Sequence, residues 1–394
     1  MSKTILIAGG GWGGLITAHA LRGMVPADYR IVVIEKRQSF IFYASYLRII
    51  IGEKHDLTNV ESPMKKLLRK DIEIINEEII RIEPQTKTVY TNAQKIQADY
   101  LILAMGAELY PNNIPGFGES CLNLFDTKGA FEIHEKLKNF EGGKIVFLVT
   151  RVPFRCPPAP YEASMLTEGF MRQRGIRNKV DISVYSPEKQ PMPIAGPQVG
   201  EKFKGLLKER NINYYPEHSV TKIDGNLKKV IFSNGVEANY DLLIGVPPHG
   251  APKAIVDSGL TDSTGFIPVH PQTMQLLNNV ETLTTQYPGV YAIGDCTSIR
   301  VLNGMILSKA GVFAEGQAHI VANHIAAQIK GEKPTGVFDG KGVCYVDVGD
   351  NKAAEGSGDF YAYPSPHIEL QAPSTETRKA KHEFERIFEI WFAK

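Results

Sequence analysis

The chain has 394 residues, of which 43% are hydrophobic and 22% charged, with a formal net charge of +1. That length exceeds what one hydrophobic core organises, so two or three domains are expected, and the composition excludes a disordered or fibrous chain. The near-neutral balance offers no basic excess to neutralise phosphates, which argues against nucleic acid as a partner.

The N-terminal stretch MSKTILIAGGGWGG begins a strand almost at once. It leaves no room for a charged region, an apolar region and a cleavage site, so no cleaved export signal is expected. No apolar run reaches the roughly 18 residues of a membrane span, so any membrane contact is expected to be peripheral. The four cysteines (Cys121, Cys156, Cys296, Cys344) lie far apart. With no CxxC and no histidines at zinc spacing, neither a metal site nor a dithiol motif is visible.

Thr4 to Ala8 reads as a buried strand, followed by Gly9-Gly10-Gly11-Trp12-Gly13-Gly14, a helix to about Met24, and a second strand from Ile31 to Ile34 ending in Glu35. This is a βαβ unit with a dinucleotide fingerprint. Gly9 permits the tight turn, Gly11 lets the backbone approach a pyrophosphate, and Gly14 allows close helix packing. Glu35 is placed to accept hydrogen bonds from a ribose. FAD and NAD share this fingerprint.

A strand-rich stretch, Ile72 to Tyr90, precedes a buried strand in Tyr100-Leu-Ile-Leu-Ala-Met-Gly-Ala107. The pattern then recurs: Val89-Tyr-Thr-Asn matches Ile231-Phe-Ser-Asn, and Asp99-Tyr-Leu-Ile-Leu matches Asp241-Leu-Leu-Ile. Between the copies lies a second βαβ-like pattern, with a strand from Lys144 to Thr150, a helix from about Tyr161 to Gly175 and a strand from Val180 to Tyr185. After Pro248 come a strand ending in Gly294-Asp295 and the segment Ser308-Lys-Ala-Gly-Val-Phe-Ala-Glu315, which leads into a helix to about Lys330.

These segments resemble, in order, the two-dinucleotide-binding-domain flavoproteins. The resemblance implies that Gly9, Gly11, Gly14, Glu35, Ile79, Gly106, Gly294 and Asp295 hold FAD, with Lys309 near the flavin or acceptor pocket. A solvated lysine is the plainer reading of Lys309. The expected fold is α/β: two tandem Rossmann-like dinucleotide-binding domains plus a C-terminal segment with an amphipathic helix. Residues 1–107 and 249–330 form the FAD domain, 108–248 the second Rossmann-like domain, and 331–394 the C-terminal region.

Where the second fold should carry its own glycine loop, the chain reads Arg151-Val-Pro-Phe-Arg-Cys-Pro-Pro-Ala-Pro-Tyr-Glu162. Prolines fix backbone angles and remove N–H donors where a pyrophosphate needs both donors and close approach, so no nicotinamide dinucleotide is expected there. Cys156 sits between Arg155 and a Pro-Pro pair, near Arg151, and this positive charge is expected to favour its thiolate. A surface cysteine without a role is the competing reading.

The loop resembles that of the sulfide:quinone oxidoreductases and of the flavoprotein subunit of flavocytochrome c sulfide dehydrogenase. That resemblance implies a redox pair of Cys156 with Cys344, the latter in Gly342-Val-Cys-Tyr-Val-Asp-Val-Gly. Hydrosulfide would attack a Cys156–Cys344 disulfide or sulfur-bridged form, leaving a persulfide on one sulfur while the other thiolate passes electrons to FAD. Glu162 matches the proton-transfer residue, and equally reads as a carboxylate favoured by a helix N-terminus. Cys296 reads as packing, and Cys121 as structural or auxiliary.

The flavocytochrome branch holds its flavin through a cysteine in a Thr-Cys-Tyr-Leu-like stretch. Here the chain has Ala44-Ser45-Tyr46-Leu47, which points to noncovalent FAD and to the quinone-reducing branch. Phe384, Ile387, Phe388, Trp391 and Phe392 fall on one helical face, with Lys379, Lys381, Glu385 and Glu389 elsewhere. Such a stripe suits a membrane interface, the protein's own core or a second subunit of a homo-oligomer. Phe360, Tyr361 and Tyr363 are candidates for a quinone pocket, with core or loop packing as the alternative for each. The expected function is sulfide oxidation with electrons passed to a membrane quinone. The alternatives are a type II NADH:quinone dehydrogenase and a flavoprotein that binds FAD without catalysis.

Overall fold

The computed structural model describes residues 3–392, with side chains described through Phe384. The strand Thr4–Ala8 is buried at every position and pairs in parallel with Arg30–Ile34 on one side and Tyr100–Leu103 on the other. Both faces of this sheet are covered, so its strands are continuous apolar runs rather than alternating ones. Glu73–Ile75 and Val290–Ala292 complete it, giving an all-parallel sheet in the spatial order Val290–Ala292, Tyr100–Leu103, Thr4–Ala8, Arg30–Ile34, Glu73–Ile75. The crossover helix Trp12–Met24 ends where Val25 turns extended ahead of Pro26, because a residue preceding proline is driven out of the helical region.

A second parallel sheet repeats this order with Leu122–Asn123, Leu242–Val246, Gly143–Val149, Val180–Tyr185 and Ile212–Tyr215. Each sheet receives its return strand from a three-stranded antiparallel meander, residues 79–97 in the first copy and 220–239 in the second. The matched sequences around Val89 and Ile231 lie at the same place in the two meanders. The duplication read from sequence is therefore an architectural one. The helix of the second copy runs Ala159–Gln173, starting before the expected Tyr161. Its first turn accommodates Pro160, since the leading N–H groups of a helix have no intrahelical partner.

The C-terminal region is an antiparallel sheet of Lys341–Gly349, Lys352–Asp359 and His367–Leu370, followed by the helix Thr375–Phe392. Its first hairpin closes through Asp350 and Asn351, both left-handed (φ 55° and 57°), the conformation a two-residue hairpin turn requires and these residues tolerate. Lys341–Gly349 is an edge strand, and its open side meets the helix Ala159–Gln173. Among the described residues no helix is long and apolar enough to cross a membrane.

Candidate active site

The glycine loop has the form a dinucleotide needs. Gly9 has φ +107°, and a Cβ there would lie 2.4 Å from the Ala104 carbonyl oxygen; one on Gly14 would lie 2.0 Å from the Gly9 carbonyl oxygen. At Gly11 a Cβ would meet nothing within 4 Å, so this is the side open to a ligand. Gly11 is also the N-cap of the helix Trp12–Met24 and offers no side-chain cap, which leaves the leading N–H groups available to phosphate. The buried Glu35 carboxylate accepts the Gly10 N–H at 2.9 Å and pairs with Arg37. Burial opposes its charge, but the Arg37 guanidinium and the N–H donors win and hold it below the usual carboxylate range.

Across the same sheet end, Gly294 (φ +71°) donates its N–H to Gln317 Oε1 at 2.7 Å, and Gly106 is also left-handed (φ +69°). Ile79 opens the first meander, half-buried. The residues present thus fit FAD.

Lys309 is buried rather than solvated. Its amine donates to the Asp295 and Thr297 carbonyls at 2.7 and 2.9 Å and lies 3.4 Å from the Phe266 ring centre. Burial pulls it down to about 8, against the attraction of Asp295. Its own carbonyl accepts the Cys156 N–H at 2.8 Å. One backbone hydrogen bond thus ties the proline loop of the second fold to the Gly-Asp turn of the first.

In the second fold, the acid at the position that would bind a nicotinamide ribose is engaged by the protein's own hydroxyls. Glu188 follows the strand Val180–Tyr185, where an acid would bind ribose. Instead it turns inward, accepting the Tyr161 hydroxyl at 2.7 Å and the Ser186 hydroxyl at 3.0 Å. Tyr161 is fully buried and belongs to the helix that follows the proline loop.

Cys156 and Cys344 are both free thiols, half-buried. The packing of Ala159–Gln173 on Lys341–Gly349 brings them into electrostatic contact, and Cys156 adopts a left-handed backbone (φ 51°) that non-glycine residues rarely take. The expectation that arginines favour the Cys156 thiolate is corrected. Burial pushes this thiol well up, Glu162 and Cys344 add to it, and the cation that opposes them is Lys381. Arg155 points elsewhere, donating to the Phe125 carbonyl at 2.6 Å and stacking 4.3 Å over Tyr43. Cys344 is likewise raised by burial, to about 11.

Glu162 is 1% exposed, in the first turn of its helix. Its Oε1 accepts the Asp347 N–H at 2.6 Å and the Lys381 ammonium at 2.5 Å. The carboxylate therefore closes the edge of the C-terminal sheet instead of capping its own helix. Lys381 also reaches Asp347 at 2.8 Å, and Arg378 reaches Asp347 at 3.2 Å and Glu53 at 2.5 Å.

Lys381, expected off the apolar face of its helix, is buried, and Asp347 and Arg378 were missed. An acid inside the apolar run Tyr345-Val-Asp-Val was the available signal, since a buried carboxylate requires a partner.

Phe384 packs on Trp12 and Phe42, with ring centres 6.2 Å away in both cases, and on Tyr345 at 6.4 Å. At this position the stripe therefore faces the protein's own core. The side chains of Ile387, Phe388, Trp391 and Phe392 lie outside the described residues.

Of the three aromatics proposed for a quinone pocket, Phe360 and Tyr361 share one aromatic cluster with Phe313 and Phe338, while Tyr363 stands apart. Phe360 is buried against Phe313, Tyr361 donates to the Pro271 carbonyl at 2.8 Å, and Tyr363 is 80% exposed. Cys296 is fully buried, and Cys121 sits in a separate core with Phe117, Val146 and Leu148.

Sequence and structure comparisons agree with this architecture. The sulfide-quinone reductase of Aquifex aeolicus is 26% identical over 409 residues, covering 100% of this chain and 90% of that protein. The mitochondrial sulfide:quinone oxidoreductase of Mus musculus is 23% identical over 372 residues, covering 91% and 79% respectively. Among solved structures, the sulfide:quinone oxidoreductase of Aquifex aeolicus has a TM-score of 0.86 at 24% identity, covering 99% of this chain and 91% of that one. NDH2 from Plasmodium falciparum has a TM-score of 0.72 at 15% identity, covering 100% and 99%. Residues 3–315 match the family model for pyridine nucleotide-disulphide oxidoreductases, and the chain belongs to that family of FAD-binding flavoproteins.

Proposed function

We propose that this chain is an FAD-dependent oxidoreductase that oxidises sulfide through Cys156 and Cys344 and passes the electrons to a membrane quinone. The observation that carries the reading is the packing of the helix behind Cys156 on the strand that carries Cys344, with the buried Glu162 carboxylate at their joint on the Asp347 N–H. In the oxidised pair, hydrosulfide attacks one sulfur of the disulfide. The S–S bond breaks, a new one forms to the incoming sulfur, and one cysteine becomes a persulfide while the other leaves as a thiolate. Glu162 takes the persulfide proton. Thiolate and persulfide then rejoin as a sulfur-bridged pair, releasing two electrons. FAD, when bound, supplies the two-electron acceptor that links this step to quinone.

Gly9, Gly11 and Gly14 hold the pyrophosphate in this reading, Glu35 the ribose, and Gly106, Gly294 and Asp295 the flavin end, with Ile79 as a further cofactor contact. Lys309 docks the cysteine loop against that end. Peripheral contact with a membrane surface belongs to the same reading, because the quinone is dissolved there. The NADH-oxidising alternative is disfavoured by Glu188, whose carboxylate is already taken by the Tyr161 and Ser186 hydroxyls.

Anaerobic titration tests the proposal. Sulfide bleaches the oxidised flavin spectrum of the parent, NADH does not, and Cys156→Ser or Cys344→Ser abolishes the sulfide response. Rapid bleaching by NADH with none by sulfide overturns it.

A further inference from the structure

The buried charges beside the thiols come from three parts of the chain, and only one of them is a side chain of the cysteine loop's own helix. Glu162 lies on that helix, Asp347 on the edge strand that carries Cys344, and Lys381 with Arg378 on the C-terminal helix. Glu162, Asp347, Lys381 and Arg378 are each at most 8% exposed. A lone carboxylate in such a place gives up its charge, because desolvation penalises the ionised form far more than the neutral one.

We propose that Lys381 is a positioning residue of this site, pairing with Glu162 so that its carboxylate stays ionised and directed at the edge strand beside Cys156 and Cys344. The proposal rests on the sulfide-oxidising reading and adds to it the group that makes Glu162 a competent proton acceptor.

The geometry supports this in two ways. Lys381 is the only cation within hydrogen-bond distance of Glu162 among the described residues, at 2.5 Å, while Arg378 spends its donors on Asp347, Asn351 and Glu53. The Asp347 N–H at 2.6 Å fixes the same oxygen, so the ammonium and the strand edge together set where the carboxylate points. The groups facing Glu162 are Cys156 from the proline loop, Cys344 and Asp347 from the edge strand, and Lys381 from the C-terminal helix. Burial pushes the Glu162 carboxyl up and the Asp347 charge adds to it; the Lys381 ammonium, with the Asp347 N–H, pulls it back without fully offsetting them, so the carboxyl stays above its usual range. With Lys381 removed, only the Asp347 N–H opposes burial and the Asp347 charge, and the balance moves further toward the protonated acid, which has no capacity to take a proton from sulfur.

The C=O stretch of a protonated carboxyl, followed by infrared difference spectroscopy across pH on the full-length FAD-loaded protein, reads this directly, with Glu162→Gln identifying the Glu162 band. Lys381→Met raises the midpoint of that band by about one pH unit or more, a tenfold or greater gain in proton affinity. Lys381→Gln, which keeps a hydrogen-bonding end and drops the charge, gives the same shift, and Lys381→Arg gives a much smaller one. The acid limb of sulfide-driven flavin reduction moves by the same interval.

An unmoved band in both the Met and Gln variants, or an equal shift in the Arg variant, overturns the proposal. A moved band in a protein whose flavin never responds to sulfide overturns the sulfide reading while the ion-pair assignment stands.

Discussion

Gly14 has no room for a side chain: a methyl group would sit 2.0 Å from the Gly9 carbonyl oxygen, and that carbonyl belongs to the turn that shapes the phosphate cradle. Gly14→Ala therefore displaces the loop itself. The expected cost is about 1–3 kcal/mol for overpacking, together with loss of bound flavin, read as the flavin absorbance per protein after gel filtration and as a lower melting temperature. Gly23→Ala, in the same helix with nothing within 4 Å of the added Cβ, is the matched control and keeps its flavin. Lys309 makes a second demand. Its amine satisfies the carbonyls of Asp295 and Thr297, and Lys309→Met leaves both without that donor. At about 1–3 kcal/mol for each buried acceptor left bare, the variant is expected to melt earlier and to release flavin faster on dilution. Unchanged flavin release from Lys309→Met would mean that the Gly-Asp turn keeps its shape without the amine.

The edge strand Lys341–Gly349 and the helix Ala159–Gln173 meet through a polar contact as well as an apolar one, because a sheet edge leaves N–H groups that need an acceptor. Glu162 supplies one at Asp347, and the C-terminal helix seals the joint with Lys381 below and Phe384 against Trp12 and Phe42. Phe384→Ala should cost about 1–2 kcal/mol in chemical denaturation, less than the roughly 3–5 of a fully enclosed phenylalanine, since this ring is half-buried. The parallel strands, the glycine loop and the proline loop were readable from sequence because each is a local pattern: an apolar run, a fixed spacing, a backbone restriction. The duplicated meander was readable because the chain repeats the same few residues at the same interval. Lys381 was not readable. A lysine on a helix points to water by default, and only the docking of that helix against a strand and another helix, both distant in sequence, turns it inward. Arg155 shows the converse: adjacency in sequence put it beside Cys156, but its guanidinium is taken by the Phe125 carbonyl and the Tyr43 ring.

Three regions of the molecule are joined at one buried set of charges: the second fold through Glu162, the C-terminal sheet through Asp347, and the last helix through Arg378 and Lys381. Such a set is costly to bury and costlier to break, because removing one member leaves the others without compensation. Asp347 is the member that makes the junction sensitive to acid. Burial alone would raise its carboxyl, but Lys381 and Arg378 hold it below the usual range near pH 3.9. The folded chain therefore binds this proton less readily than the unfolded chain. Its contribution is fully present above the unfolded value and is lost as pH falls through the lower folded one. Asp347→Asn removes that contribution at every pH and takes one of two carboxylate partners from each of Lys381 and Arg378, which keep Glu162 and Glu53, at an expected cost of about 1.5–3 kcal/mol at neutral pH. Urea denaturation of parent and variant at neutral pH and in the acid range separates the two effects. The stability gap between them narrows as the parent's Asp347 protonates, because the parent then loses what the variant never had. If the gap stays constant down to the lowest pH at which both remain folded, the acid-labile group lies elsewhere and the junction owes its strength to packing.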